Sequence, residues 1–219
     1  MGDPNLWKQA EKDLEKALKN AKVKYEVKEK DGAFYGPKID IHIKDSQGRD
    51  WQLATIQLDF QIPERLKLEY IDRDAAAKKP IIIHRAILGS LERFIGILTE
   101  HYQGAFPLWL SPVQVMVLPI ADRHEKMARK ITDKLKENGI RAELDNRPER
   151  LQAKIRDGSL QKVPYLGIIG DREVKSEKLK VKSNEDGLIS VRTREGKDLG
   201  QVKLSQFLQK VKEEIDKKI

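Results

Sequence analysis

The sequence predicts two α/β domains, and three observations carry that reading. Residues Lys38 to Lys44 alternate Ile39, Ile41 and Ile43 with Lys38, Asp40, His42 and Lys44. That period of two, a turn at Ser46-Gln47-Gly48-Arg49 and a returning apolar run from Trp51 to Leu58 predict an antiparallel hairpin. Beyond residue 112, strand-like and helix-like runs alternate, which predicts a mixed, largely parallel sheet with helices on both sides. Between the two patterns stand Pro107 and Trp109-Leu110-Ser111-Pro112, so the domains are expected at residues 1–111 and 112–219.

Each element has its own signal. Asp3-Pro4 is a helix start, and Leu6, Ala10, Leu14, Ala17, Leu18 and Ala21 keep helical spacing to Lys22. Tyr25 to Val27 begins an extended piece, followed by the hairpin. The β-branched run Ile81 to Ile83 reads as a buried strand. Ala86, Ile87, Leu91, Phe94, Ile97 and Leu98 then recur at helical spacing to about His101. In the second half, Val113 to Pro119 is a strand. Arg123 to Asn138 is a helix with Met127, Ile131 and Leu135 inward, stopped by Gly139. Ile140 to Leu144 is a strand, Leu151 to Leu160 a helix, and Tyr165 to Ile169 a strand ended by Gly170-Asp171. A β-ribbon is expected from Leu179 to Val191 and a closing helix from Leu204 to about Lys217.

Composition bounds the function. A chain of 219 residues suffices for two cores. With 36% charged residues, no run of bilayer-spanning length and no basic-then-apolar leader at Met1-Gly2-Asp3-Pro4-Asn5, a soluble cytoplasmic protein is expected. The absence of cysteine excludes disulfides and thiolate metal sites. The net charge of +8 is unevenly spread: 18 Lys and Arg face 17 Asp and Glu in residues 1–113, against 25 and 18 in residues 114–219. A basic second half suits a polyanion-binding module, although many basic domains bind no nucleic acid.

The chemistry-bearing residues are ambiguous on spacing alone. Lys38, Asp40 and His42 share one strand face, which is either solvated or the floor of a polar pocket. His84, at the end of an apolar run, is either a hydrogen-bonded core residue or a ligand. Ser90 and Arg93 lie three apart on one helix face.

The run Ile82-Ile83-His84-Arg85-Ala86-Ile87-Leu88-Gly89-Ser90-Leu91-Glu92-Arg93-Phe94 closely resembles the third signature motif of threonyl-tRNA synthetases. Gly32-Ala33-Phe34-Tyr35-Gly36-Pro37-Lys38-Ile39-Asp40 and Thr55-Ile56-Gln57-Leu58-Asp59-Phe60 resemble two further signatures, and the likeness runs from about Trp7 to the C-terminus. The resemblance implies that the first domain is the C-terminal part of a class II synthetase catalytic domain, its antiparallel sheet flooring the active site. Tyr35 and Lys38 would line the amino-acid and adenylate pocket. Gln52 and Thr55 would lie near ribose and phosphate, with Gln57 and Ser90 in the same cleft. Arg93 would stack on adenine and pair with the terminal phosphate of ATP, and magnesium would accompany the ATP. His84 would be one ligand of a zinc ion that selects threonine by its hydroxyl. The remaining zinc ligands and the first two class II motifs would lie upstream, so half an active site, inactive alone, is expected. Leu53 and Ala54 stand where many relatives carry Cys and Gly.

In the second domain the likeness rests on Lys154-Ile155-Arg156, Val163-Pro164-Tyr165, Gly170-Asp171-Arg172-Glu173-Val174, Val191-Arg192-Thr193-Arg194 and Asp198-Leu199-Gly200. It implies a mixed five-stranded α/β anticodon-binding domain, with Glu173 and Arg192 touching anticodon bases and Lys154, Arg156 and Arg194 steering phosphates. Pro148 stands where relatives usually carry a base-contacting Asn. Lys175 to Lys182 reads equally as a solvated hairpin. The implied partners are tRNA(Thr), ATP and threonine, with a homodimer for the full-length parent. The alternative is a free-standing tRNA- or RNA-binding protein with a vestigial catalytic half.

Overall fold

The Asp3 carboxylate accepts the Asn5 N–H at 2.8 Å and, with Pro4 behind it, starts helix α1 (Pro4–Asn20). The structure, a computed structural model, describes residues 3–179 and 187–219. It divides into two compact units, 1–101 and 102–219.

In the first unit, β1 (Lys38–Lys44) and β2 (Asp50–Asp59) form the expected hairpin. Lys38 is opposite Gln57 and Asp40 opposite Thr55, and a register shift between Ile41 and His42 sets His42 opposite Gln52. After α2 (Gln61–Arg65), the short strands β3 (Tyr70–Ile71) and β4 (Ala77–Lys78) pair with each other. Strand β5 (Ile82–Ala86) returns antiparallel to β2, with His84 opposite Gln57, giving the sheet order β1-β2-β5. Helix α3 (Leu91–Tyr102) follows.

Two expectations are corrected here. Ala86 belongs to β5, and α3 starts later, because Gly89 takes φ +66° and Ser90 caps the helix: its Oγ accepts the Arg93 N–H at 3.3 Å. The run from Ile81 to Ile83 is not buried; Ile83 is 63% exposed and α3 has no buried residue.

In the second unit, β6 (Val115–Pro119) leads through a short turn of 3₁₀ helix (Asp122–His124) into α4 (Glu125–Glu137). Then come β7 (Ala142–Leu144), α5 (Leu151–Leu160), β8 (Tyr165–Ile169) and α6 (Asp171–Leu179). The hairpin β9 (Leu188–Thr193) and β10 (Asp198–Lys203) runs into α7 (Leu204–Asp216). The sheet order is β10-β9-β8-β6-β7. Strand β6 is parallel to β7 and β8, while β9 is antiparallel to β8 and β10, so the sheet is mixed and less parallel than expected. Val115, Val117, Ile169, Ile189 and Val191 meet Ile131 and Leu135 of α4 and Phe207 and Val211 of α7 in the main core. Met116, Leu118 and Leu166 pack with Ile155 of α5 on the opposite face.

Of the ribbon expected from Leu179 to Val191, Leu179 ends α6, Leu188 to Val191 lie in β9 of a hairpin that pairs further along with β10, and residues 180–186 lie outside the described residues. Of the solvated hairpin considered for 175–182, Lys175 to Leu179 is helical and the rest lies outside the described residues. The contact division also falls before the expected boundary at 111. Residues 102–111 cluster with the second unit because Gln114 Nε2 donates to Leu108 O at 2.9 Å. Arg141 also donates to the Ser111 and Trp109 carbonyls at 2.9 and 2.8 Å.

Candidate functional site

Antiparallel register decides which side chains share a face. Lys38, Asp40, Thr55, Gln57, Asp59 and His84 fall on the same face of the first sheet, since 38 meets 57, 40 meets 55, and 57 meets 84. The register shift brings Gln52 to that face too, where it and Thr55 lie beside the Asp40 carboxylate. Tyr35 reaches it from the turn before β1. Its hydroxyl donates to Gln57 Oε1, and Gln57 Nε2 donates to Thr55 Oγ1 at 3.1 Å. The Tyr35 ring also meets the His84 ring edge-on, with centroids 5.6 Å apart.

Gly36 allows this approach. A Cβ there would lie 1.8 Å from the Leu58 carbonyl oxygen, so the turn lies on β2 only because residue 36 has no side chain. Lys38 Nζ donates to Asp40 Oδ2 at 2.5 Å, and this bond, ahead of the opposing effect of burial, raises the Lys38 pKa. Burial works to raise the Asp40 pKa, but Lys38 and Thr55 outweigh it and the net direction is down. The face thus carries a fixed cation, a compensated carboxylate and a chain of oriented neutral dipoles.

Asp59 is the residue that sequence reasoning passed over. It is 0% exposed; Oδ1 accepts the Gln61 and Ile62 N–H groups, each at 2.9 Å, and Oδ2 lies 2.9 Å from His84 Nε2. Burial pushes its pKa up, but the His84 bond and the two backbone donors prevail and lower it. The signal was available: Asp59 lies two residues after Gln57 on a strand and so shares its face.

Ser90 and Arg93 stand on the first turn of α3. The would-be Cβ of Gly89 lies 3.1 Å from Leu53 O, so this turn is held against β2. The Ser90 hydroxyl is engaged in capping, and Arg93 is exposed. Tyr35, Lys38, Gln52, Thr55, Gln57 and His84 are therefore brought together, while Ser90 and Arg93 are set on the adjoining helix. Among the described residues no three His, Asp or Glu side chains gather to hold a metal. His84 with Asp59 behind it fits one ligand position and does not make a zinc centre by itself.

In the second unit, Glu173 is buried in the first turn of α6. Its carboxylate accepts the Gly170 N–H at 2.9 Å, the Ser190 hydroxyl at 2.8 Å and the Gln201 amide at 2.6 Å. The bond back to Gly170 is the glutamate half of a capping box. Ser190 and Arg192 alternate along β9 with the buried Ile189 and Val191, so Glu173 reaches the same sheet face that carries Arg192. Arg192 Nε donates to Gly196 O at 3.3 Å.

The expected phosphate contacts divide. Arg156 is exposed, and among the described residues its neighbour Asp157 is its ionic partner. Lys154 is buried with Nζ on Pro119 O at 3.2 Å, so its ammonium supports the sheet end and does not steer phosphate. Arg194 Nη1 donates to Phe106 O at 2.7 Å and ties the segment before β6 to the sheet. Pro148 sits in the loop after β7, where Arg147 holds Asp145 through two bonds of 2.9 and 2.8 Å.

Comparison with known proteins agrees with this division. A family model described as "tRNA synthetase class II core domain (G, H, P, S and T)" matches residues 3–102, and one described as "Anticodon binding domain" matches residues 114–214. The threonine–tRNA ligase of Caldanaerobacter subterraneus subsp. tengcongensis is 54% identical over 215 residues, covering 98% of this chain and 32% of the relative. That of Aquifex aeolicus is 49% identical over 218 residues, covering 100% of this chain and 33% of the relative. The crystal structure of the RNA binding domain of threonyl-tRNA synthetase from Cryptosporidium parvum superposes with a TM-score of 0.84 at 34% identity. It covers 97% of this chain and 52% of that one. The chain spans about a third of the length of the curated relatives it matches. Part of a class II core followed by an anticodon-binding domain, both matched nearly throughout by these relatives, places the chain in the threonyl-tRNA synthetase family.

Proposed function

We propose that the chain supplies one wall of the active site, and the anticodon-reading module, of a cytoplasmic threonine–tRNA ligase. The whole enzyme would join threonine to ATP as an adenylate and pass it to the terminal ribose of tRNA(Thr), working as a homodimer. The observation that carries the reading is the single sheet face holding Tyr35, Lys38, Gln52, Thr55, Gln57 and His84, built on a strand register that leaves their apolar neighbours on the other side.

The roles follow from the chemistry of each group. Tyr35, Gln57 and Thr55 form a bonded row of dipoles whose orientation is set before substrate arrives, the condition under which polar groups favour a developing charge most. Lys38 is a cation fixed by Asp40 and would balance the carboxylate and phosphate charge of the adenylate. Gln52, beside Asp40, would meet the ribose, and Ser90 would border the cleft. The exposed guanidinium of Arg93 has the flat face and bidentate edge needed for adenine and the terminal phosphate of magnesium-bound ATP. Zinc, when bound, would supply a Lewis acid that demands a substrate hydroxyl and so rejects valine. His84 would give one ligand, and the others would lie outside the described residues.

Glu173 and Arg192 are proposed as the centre of the anticodon contact, with Glu173 acting through the Ser190 and Gln201 groups that cover it. The rival reading, an RNA-binding protein with a decayed core, gains no specific support: close identity extends across both units.

Two assays test the proposal. With threonine, ATP and labelled pyrophosphate, the 219-residue chain alone is expected to show no exchange above background. Clear turnover would overturn the division of the active site. In gel shifts, the same chain is expected to prefer tRNA(Thr) over other tRNAs, and equal weak binding to all would count against the anticodon assignment.

A further inference from the structure

We propose that Asp59 is a positioning residue that fixes the tautomer of His84, so that Nε2 carries the proton and Nδ1 presents the lone pair. Asp59 is fully buried at the end of β2, and its Oδ1 is occupied by two main-chain donors, the Gln61 and Ile62 N–H groups at 2.9 Å each. The carboxylate is therefore locked in orientation by the start of α2, independently of the imidazole. Its remaining oxygen lies 2.9 Å from His84 Nε2. An ionised carboxylate is an acceptor only, so a bond at that distance requires the hydrogen on Nε2, and a neutral imidazole then has its lone pair on Nδ1. Nε2 is engaged by a buried group, whereas the His84 side chain as a whole retains 41% exposure, which leaves Nδ1 as the nitrogen open to a ligand. Tyr35, edge-on to the same ring, limits its rotation.

The consequence is directional. Any species that needs an imidazole lone pair, a divalent cation such as zinc above all, must approach His84 from the Nδ1 side. A carboxylate behind the ring also makes that nitrogen a better donor to the metal. This consequence for a cation rests on the functional reading, but the tautomer does not, so the two fail separately.

Long-range ¹H–¹⁵N correlation on the uniformly ¹⁵N-labelled 219-residue chain, at a pH where imidazole is neutral, reads the tautomer directly. The expected spectrum shows a pyrrole-type Nε2 and a pyridine-type Nδ1 for His84; the reverse pattern, or an average of the two, overturns the proposal without any variant being made. In Asp59→Asn the side-chain amide can donate to Nε2 while its oxygen still serves Gln61 and Ile62, so His84 is expected to switch to the Nδ1–H form. If folded Asp59→Asn keeps the Nε2–H tautomer, Asp59 does not set it. Should that variant unfold, Asp59→Glu is expected to retain the wild-type tautomer, and loss of it there would equally reject the assignment.

Discussion

At the scale of single residues, the two glycines of greatest interest in the first unit have opposite surroundings. Gly36 has the Leu58 carbonyl where a Cβ would go, at 1.8 Å, and that neighbour is backbone and cannot step aside. Gly36→Ala is therefore expected to lower stability by about 3 kcal/mol or more, the upper end of overpacking costs, and to pull Tyr35 away from Gln57. Gly96, inside α3, has nothing within 4 Å, so Gly96→Ala should raise stability by about 0.5–1 kcal/mol. Urea midpoints of the two variants against the parent check both signs. The same scale shows what could be read early. Lys38, Gln57 and His84 share a face because strand periodicity and pairing dictate it, and the motif resemblance pointed to them. The place of Asp59 on that face was legible by the same periodicity, but the buried state of Asp59, Glu173 and Lys154 was not, because burial depends on which segments fold over a charged side chain, and no local pattern encodes that.

At the scale of elements, α6 is the instructive case. Gly170-Asp171 looks like a strand stop, yet Glu173 three residues on is the far half of a capping box, a helix start signal inside a segment too charged to show an apolar stripe. That cap makes α6 dependent on an ionised carboxylate. Burial opposes ionisation of Glu173, but the Gly170, Ser190 and Gln201 donors win and depress its pKa below the ordinary glutamate value. A depressed carboxylate contributes stability above the unfolded-state pKa, near 4.3, and loses it as the pH falls through the folded value. Stability of the second unit is thus expected to decline below about pH 4.3, and Glu173→Gln should flatten that decline while costing about 1–3 kcal/mol at neutral pH. Unfolding curves from pH 3 to 7 for both proteins decide it. The first unit differs in kind. Ile83, Ile87, Leu91 and Ile95, on β5, in the loop after it and along α3, are each more than half exposed, and β5 is a sheet edge. Such a patch beside an unpaired edge favours self-association. Ile83→Lys should reduce concentration-dependent association, measured by light scattering, with little change in the unfolding midpoint.

At the scale of the whole molecule, the charge asymmetry visible in composition takes on a structural meaning. The excess of cations lies in residues 114–219, and several of the arginines there are already committed: Arg147 to Asp145 and Asp157, Arg123 to Asp171, Arg194 to Phe106 O and Glu195. Net charge therefore overstates the cations available for RNA, and the effect of each substitution should depend on its existing partners. Arg156, exposed and weakly paired, is positioned to meet phosphate, so Arg156→Ala should weaken binding to all tRNAs alike and lower the salt slope by about one. Arg192 shares a face with the covered Glu173 carboxylate and, in its proposed role of reading a base, should behave differently. Arg192→Ala should cost about 1–3 kcal/mol with tRNA(Thr) and much less with other tRNAs, so that discrimination falls. Filter binding of both variants across a salt series separates the two roles. If Arg192→Ala weakens every tRNA equally, the guanidinium is one more phosphate contact and reading of the anticodon must lie elsewhere on the sheet.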